Sequence, residues 1–217
     1  MEQRMIRAYD FEIRAENNEK HGDYIVGRPI VYGSKANLGY FDEVIERGAL
    51  DNTNLKDVAF LVNHNNSMIP LARSRNNNEN STMQITVDEN GMSIRVNLDT
   101  ENNAEARSLY SAIKRGDITG MSFAFYIEKD GDKWENLRSE HPTRHIRAIS
   151  SVTEVSAVTR PAYQSTEISA RDKEALDSAK ATLESVRSQS LDSDKEKLEL
   201  EKAKIRNKFF NQKSENI

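Results

Sequence analysis

Apolar and polar residues alternate in short runs from Arg7 to Thr159: RAYDFEIRA, YIVGRPIVYG, VAFLVNH, STMQITVDENGMSIRVNL, MSFAFYIEK and AISSVTEVSAVT. A period of two puts successive side chains on opposite faces of a strand. Val, Ile, Thr, Phe and Tyr are abundant in these runs and suit a pleated, half-buried surface. Between MQITV and MSIRVNL stands DENG, a hairpin signal, because Asn90-Gly91 tolerates positive φ. Several meandering strands of this kind predict a mainly β chain, closed as a barrel or stacked as a sandwich.

One helix interrupts the strands. Ala106, Leu109, Tyr110 and Ile113 follow i, i+3, i+4, i+7, with Lys114 and Arg115 in the last turn and Gly116 as the stop. The preceding TENN supplies a cap. FDEVIERGAL is read as a shorter helix or a turn. The pattern then changes near Pro161. After RPAYQST there is no glycine or proline and charge dominates, which divides the chain into a folded domain over 1–168 and a helical or disordered tail over 169–217. In the tail Leu176, Ala179, Leu183 and Val186 recur at helical spacing. The step to Leu191 breaks the heptad, and Ser193 with Glu196 makes a capping box, so two helices joined at SQSLDSD are expected.

Composition narrows the function classes. The 217 residues are 36% hydrophobic and 30% charged, with a mean hydropathy of −0.76, so the apolar core is expected in only part of the chain. A net charge of −4 and an isoelectric point near 5.7 give no basic footprint for nucleic acid. With no cysteine, disulfides, thiolate zinc sites and a cysteine nucleophile are excluded. No apolar run approaches a membrane span, and MEQRMIRAYDFEIRA lacks a signal-peptide core, so a soluble intracellular protein is expected.

Ser122 opens the chemistry. On its strand Met121, Phe123, Phe125 and Ile127 face one side, while Ser122, Ala124 and Tyr126 face the other. The bulky side fills a core; the small side leaves room beside the hydroxyl. A serine so placed is either a small packing residue or a nucleophile, and a nucleophile needs a base. His21 lies in the polar loop NEKHGD, and His141 and His145 lie in SEHPTRHIR, where Pro142 argues against a helical metal pair. His64 ends the apolar strand VAFLVNH on the face of Val58, Phe60 and Val62. It is either a satisfied structural histidine or a held base. Glu154 shares a face with Val152, Ser156 and Val158. It either faces water from an edge strand or is buried with a partner, since an unpaired buried charge is costly; an imidazole is a natural partner.

VNHN followed by PLAR, a helix ending in GDITGMSFAF, and then VTEVSAVTRPAYQST together resemble the prohead maturation proteases of tailed phages. These are serine peptidases similar to the herpesvirus assemblins. The resemblance spans roughly residues 8–168. It implies an antiparallel β-barrel with flanking helices, Ser122 as nucleophile, His64 as general base and acid, and Glu154 orienting His64, where the herpesvirus proteins use a second histidine. Ala72 stands in PLARS where many relatives have glycine. Arg160 and nearby backbone N–H groups are the oxyanion candidates. The resemblance further implies no cofactor or metal, cleavage of a capsid-protein scaffolding segment or a separate scaffold protein, self-cleavage, a homodimer, and action inside the procapsid in the host cytoplasm. Neither a membrane nor a nucleic-acid partner is expected. The tail fits a removable segment that docks on scaffold. The competing reading is an inert assembly factor that binds through its helical tail. Arg115-Gly116-Asp117 is better explained as a helix end and turn than as an adhesion motif.

Overall fold

The computed structural model describes residues 4–9, 13–19, 22–159 and 170–214. Its strands are β1 (Met5–Tyr9), β2 (Ile13–Asn18), β3 (Gly22–Val31), β4 (Lys35–Asn37), β5 (Asp42–Ile45), β6 (Asp57–Val62), β7 (Ala72–Arg75), β8 (Met83–Asp88) and β9 (Gly91–Asn97). Helix α1 (Ala104–Arg115) follows, then β10 (Gly120–Ile127), β11 (Asp132–Glu135), β12 (Thr143–Ile146), β13 (Ile149–Val158) and helix α2 (Ala170–Ser214). The chain divides into two compact units, Met1–Ala175 and Leu176–Ile217.

The fold is α+β and mainly β, but the described strands do not close into the expected antiparallel barrel. They form three open sheets, in the orders β1-β10-β13-β6-β7, β11-β12-β5-β4 and β2-β3-β9-β8. Two pairings, β13 with β6 and β12 with β5, are parallel. Alternation along a strand specifies which face is buried and says nothing about which strand lies beside it, so neither parallel pairing could be read from the pattern.

The five-stranded sheet carries several of the fully buried core residues. Met121, Phe123 and Phe125 of β10, Phe60 of β6 and Val155 of β13 have no exposed surface, and the Phe123 and Phe125 rings lie 5.0 Å apart. Both faces of β10 are covered: Ser122 and Ala124 on the small face are buried as completely as the aromatics. Ser122 has no exposed surface, so the expected open room beside the hydroxyl is not present.

Helix α1 begins and ends where its sequence directs. The Asn103 side chain accepts from the N–H groups of Glu105 at 2.9 Å and Ala106 at 3.2 Å, satisfying two donors that a helix start leaves open. Gly116 takes the left-handed conformation, φ 79°, that closes the last turn. Ala106, Leu109 and Ile113 are buried; Tyr110 is only half-buried at the edge of the stripe.

Other local expectations shift. The hairpin pairs Asp88 with Gly91, so its loop residues are Glu89 and Asn90, and of the Asn90-Gly91 pair Gly91 alone takes positive φ, at 134°. A Cβ at Gly91 would stand 2.0 Å from the Ile30 carbonyl oxygen; the glycine is required by the close approach of β3. FDEVIERGAL forms β5 and a turn. SEHPTRHIR, read as a polar loop, contains β12, and PLARS holds the first three residues of β7. The tail forms one helix through SQSLDSD where two were expected. Serine and aspartate weaken a helix by only a few tenths of a kcal/mol each, or about 0.7 at most; with no glycine or proline, nothing there is strong enough to break it. Charged pairs one turn apart, Asp192–Lys195 and Glu199–Lys202, support its surface. Among the described residues no helix is long and apolar enough to cross a membrane.

Candidate active site

Three adjacent strands of the five-stranded sheet meet at one cluster. Ser122 lies on β10, Glu154 on the central neighbour β13, and His64 two residues beyond β6. In the β10–β13 ladder Ser122 stands opposite Ser156 and Ala124 opposite Glu154, so both serines and the carboxylate share one face. The edge-strand alternative for Glu154 does not hold, because β13 is paired on both sides.

His64 reaches this face by a turn, not by continuing the strand. β6 ends at Val62, and Asn63 and His64 both take positive φ, 50° and 55°. Two consecutive non-glycine residues in the left-handed region are uncommon and cost of order 1–3 kcal/mol each. Surrounding bonds hold them there. The Asn63 N–H donates to the Ala157 carbonyl at 2.9 Å, the Asn63 side-chain oxygen accepts from the Thr159 N–H at 3.0 Å, and the His64 N–H donates to Ser156 Oγ at 3.2 Å. The turn swings the imidazole back over β13. The shared face with Val58, Phe60 and Val62, expected from alternation, is therefore not how His64 is placed.

The ring bridges the other two groups. His64 Nδ1 lies 2.5 Å from Glu154 Oε1, and Nε2 lies 2.5 Å from Ser122 Oγ. A carboxylate at Nδ1 fixes the tautomer: Nδ1 carries the hydrogen and Nε2 keeps a lone pair for the serine proton. The hydroxyl of Ser122 also lies 2.8 Å from the Arg7 carbonyl oxygen of β1, giving its single hydrogen two acceptors. With His64 neutral it points to Nε2. With His64 protonated, Nε2 donates to Ser122 Oγ and the hydroxyl turns to Arg7.

Glu154 is 2% exposed and every contact it makes here is with a donor. Oε1 also accepts from Ser156 Oγ at 2.6 Å, and Oε2 accepts from Arg4 Nη2 at 2.5 Å. Burial disfavours its charged form, but the bonds from His64 and Ser156 and the charges of His64 and Arg4 outweigh that, and its carboxyl is held below the usual glutamate range. Solvent reaches the cluster at His64, whose side chain is 13% exposed; Ser122 has no exposed surface.

Strand β1 covers the near edge of β10, with Ala8 opposite Ser122. A buried ion-pair chain fastens it to the second sheet. Arg7 bonds Glu43 through Nε and through Nη2, the latter at 2.9 Å. Arg144 reaches Glu43 at 3.5 Å and Asp132 at 2.7 Å.

Two contributors were not singled out from the sequence. Arg4 lies 150 residues from Glu154, in a charged N-terminal stretch without a motif. Ser156 carried a legible signal, since E-x-S on a strand puts both side chains on one face. Of the other histidines, two stand apart. His141 pairs with Asp42 at 2.9 Å and His145 with Glu46 at 2.5 Å, and His21 lies outside the described residues, as does Arg160. Among the described residues no cluster of three metal-ligating side chains occurs.

The model of one protein family, described as caudovirus prohead serine protease, matches residues 9–181. No curated protein matches the chain. Among solved structures, the bacteriophage T4 capsid assembly protease, gp21, is similar at 12% identity and a TM-score of 0.37, over 71% of this chain and 98% of that one.

Proposed function

Because the chain belongs to the caudovirus prohead serine protease family, we propose that it is a capsid-maturation endopeptidase whose nucleophile is Ser122, with His64 as base and acid and Glu154 orienting His64. The observation that carries this reading is the unbroken relay from Ser122 Oγ through His64 to Glu154 Oε1, with both links at 2.5 Å. A serine hydroxyl is a weak nucleophile until an adjacent base takes its proton as it attacks.

In this reading Ser122 Oγ attacks a peptide carbonyl while Nε2 takes its proton, and Glu154 stabilises the imidazolium that forms. His64 then protonates the leaving amine. Water attacks the acyl-enzyme with His64 again as base, and Ser122 regains its proton. Arg160 and backbone N–H groups near it are the proposed donors to the tetrahedral oxyanion.

The substrates in this reading are the scaffolding segment of the capsid protein or a separate scaffold protein, and the chain itself, inside the procapsid in the host cell. Residues 169–217 serve as the removable scaffold-docking segment of a homodimeric protease, appended to the catalytic domain of residues 1–168. The test is co-expression with the capsid precursor, read by intact mass of both proteins. Wild type is expected to shorten the precursor and Ser122→Ala to leave it whole. Identical processing by the two would leave the inert assembly-factor reading in its place.

A further inference from the structure

Ser156 is bonded to the His64 main chain on one side and to the carboxylate holding the His64 ring on the other. It has no exposed surface. Its Oγ accepts from the His64 N–H at 3.2 Å and donates to Glu154 Oε1 at 2.6 Å. With the Nδ1–Oε1 bond of 2.5 Å, these contacts close a ring that runs from the His64 backbone through Ser156 and Glu154 to the His64 imidazole. A hydroxyl suits this place because it accepts and donates at once.

The ring spans the one strained joint of the site. His64 holds φ 55° without being glycine, and such a conformation persists where its surroundings over-determine it. Ser156 constrains the turn and the ring plane from a single atom, and that atom sits on β13, paired on both sides and therefore well fixed. It is not bonded to Ser122, although the two residues are direct partners in the ladder.

We propose that Ser156 is a positioning residue of the protease, locking the His64 turn to Glu154 so that Nε2 stays aimed at Ser122. This rests on the reading of Ser122, His64 and Glu154 given above. Ser156 touches no reacting atom, so its removal slows the chemical step and leaves binding alone.

The probe is an alkyl fluorophosphonate, which phosphonylates an activated serine, followed by intact mass across pH. Ser156→Ala is expected to lower the maximal labelling rate by about tenfold to a hundredfold, the range for a hydrogen bond to a charged group, with the half-saturating concentration unchanged. The acidic limb of the rate profile is expected to move to higher pH, because the His64–Glu154 pair loses a donor to its charged carboxylate. Ser156→Cys keeps the side-chain shape at a modestly larger volume, supplies only a weak donor and is expected to follow alanine; it decides the matter if the alanine variant does not fold.

A second readout needs no turnover. In a Ser122→Ala background the His64 Nδ1–H gives a low-field proton resonance, which Ser156→Cys is expected to shift or broaden. Wild-type labelling rates and an unmoved acidic limb would overturn the proposal, as would an unchanged resonance. Labelling of the Ser122→Ala protein itself would instead overturn the reading of Ser122, so the two failures are distinguishable.

Discussion

Exchanging Glu154 for glutamine keeps both His64 ring nitrogens bonded and still stops the chemistry. The carboxylate accepts from three groups: His64 Nδ1, Ser156 Oγ and Arg4 Nη2. An amide has one acceptor corner and one donor corner. Arg4 can only donate, so the amide oxygen turns to it and the NH2 group faces Ser156 Oγ and His64 Nδ1. Nδ1 must then accept, which moves the ring hydrogen to Nε2. There it donates to Ser122 Oγ, and the serine hydroxyl is taken up by the Arg7 carbonyl at 2.8 Å. The ring is bonded at both nitrogens and cannot receive a proton, while the Ser156 hydroxyl hydrogen has lost the acceptor that Glu154 Oε1 gave it. Returning the ring to the productive tautomer breaks the two bonds made by the NH2 group. Both join neutral groups, so the cost is about 1–3 kcal/mol, or roughly 5- to 150-fold in rate. The weaker support that a neutral amide gives the imidazolium adds to this loss.

The assay is the rate of phosphonylation by a fluorophosphonate, with urea unfolding as the control for folding. A Glu154→Gln protein that reacts as fast as wild type would refute the tautomer argument. Stability carries its own signature. The folded-state pKa of Glu154 is lowered from 4.5, so its contribution is present above about pH 4.5 and is lost as pH falls through the folded value. The stability difference between wild type and Glu154→Gln is therefore expected to shrink on acidification below that point.

Two further outcomes follow from the packing around the site. Glu43→Ala leaves the Arg7 and Arg144 side chains, 6% and 7% exposed, without the carboxylate between them; it is expected to cost about 3–5 kcal/mol in urea unfolding, whereas a surface pair such as Arg73–Asp57 is worth at most about 1. Asn103→Ala removes the α1 cap and is expected to cost about 1 kcal/mol, lowering Tm by about 2–4 °C for a chain of this size; no change in Tm would mean the cap is replaced by water.

Several of the site's parts were legible in the sequence for physical reasons. A hydroxyl inside an aromatic strand and a carboxylate inside a valine-rich one each required explanation, because buried polar groups need partners. What joined them was not legible. Glu154 lies beside β6 through a parallel pairing that links residues about 95 apart, Glu154 with Ala59, and alternation encodes no partner. His64 takes a left-handed turn usually signalled by glycine, and VNHN contains none; the bonds that hold it come from Ala157, Thr159 and Ser156, all distant in the chain. The tail was misread because serine and aspartate are turn formers whose weak preference is overridden in a helix of 45 residues. Meandering strands suggested a barrel or a sandwich and the resemblance an antiparallel barrel; the described strands form three open sheets, two of them with a parallel ladder.

Whether Ser122 is the nucleophile is tested most directly by mapping the phosphonyl adduct. After fluorophosphonate treatment of the full chain, one adduct is expected, localised by peptide mass spectrometry to Gly120–Ile127 at Ser122, and none in the Ser122→Ala or His64→Ala proteins. An adduct on another serine, or undiminished labelling of Ser122→Ala, would contradict it.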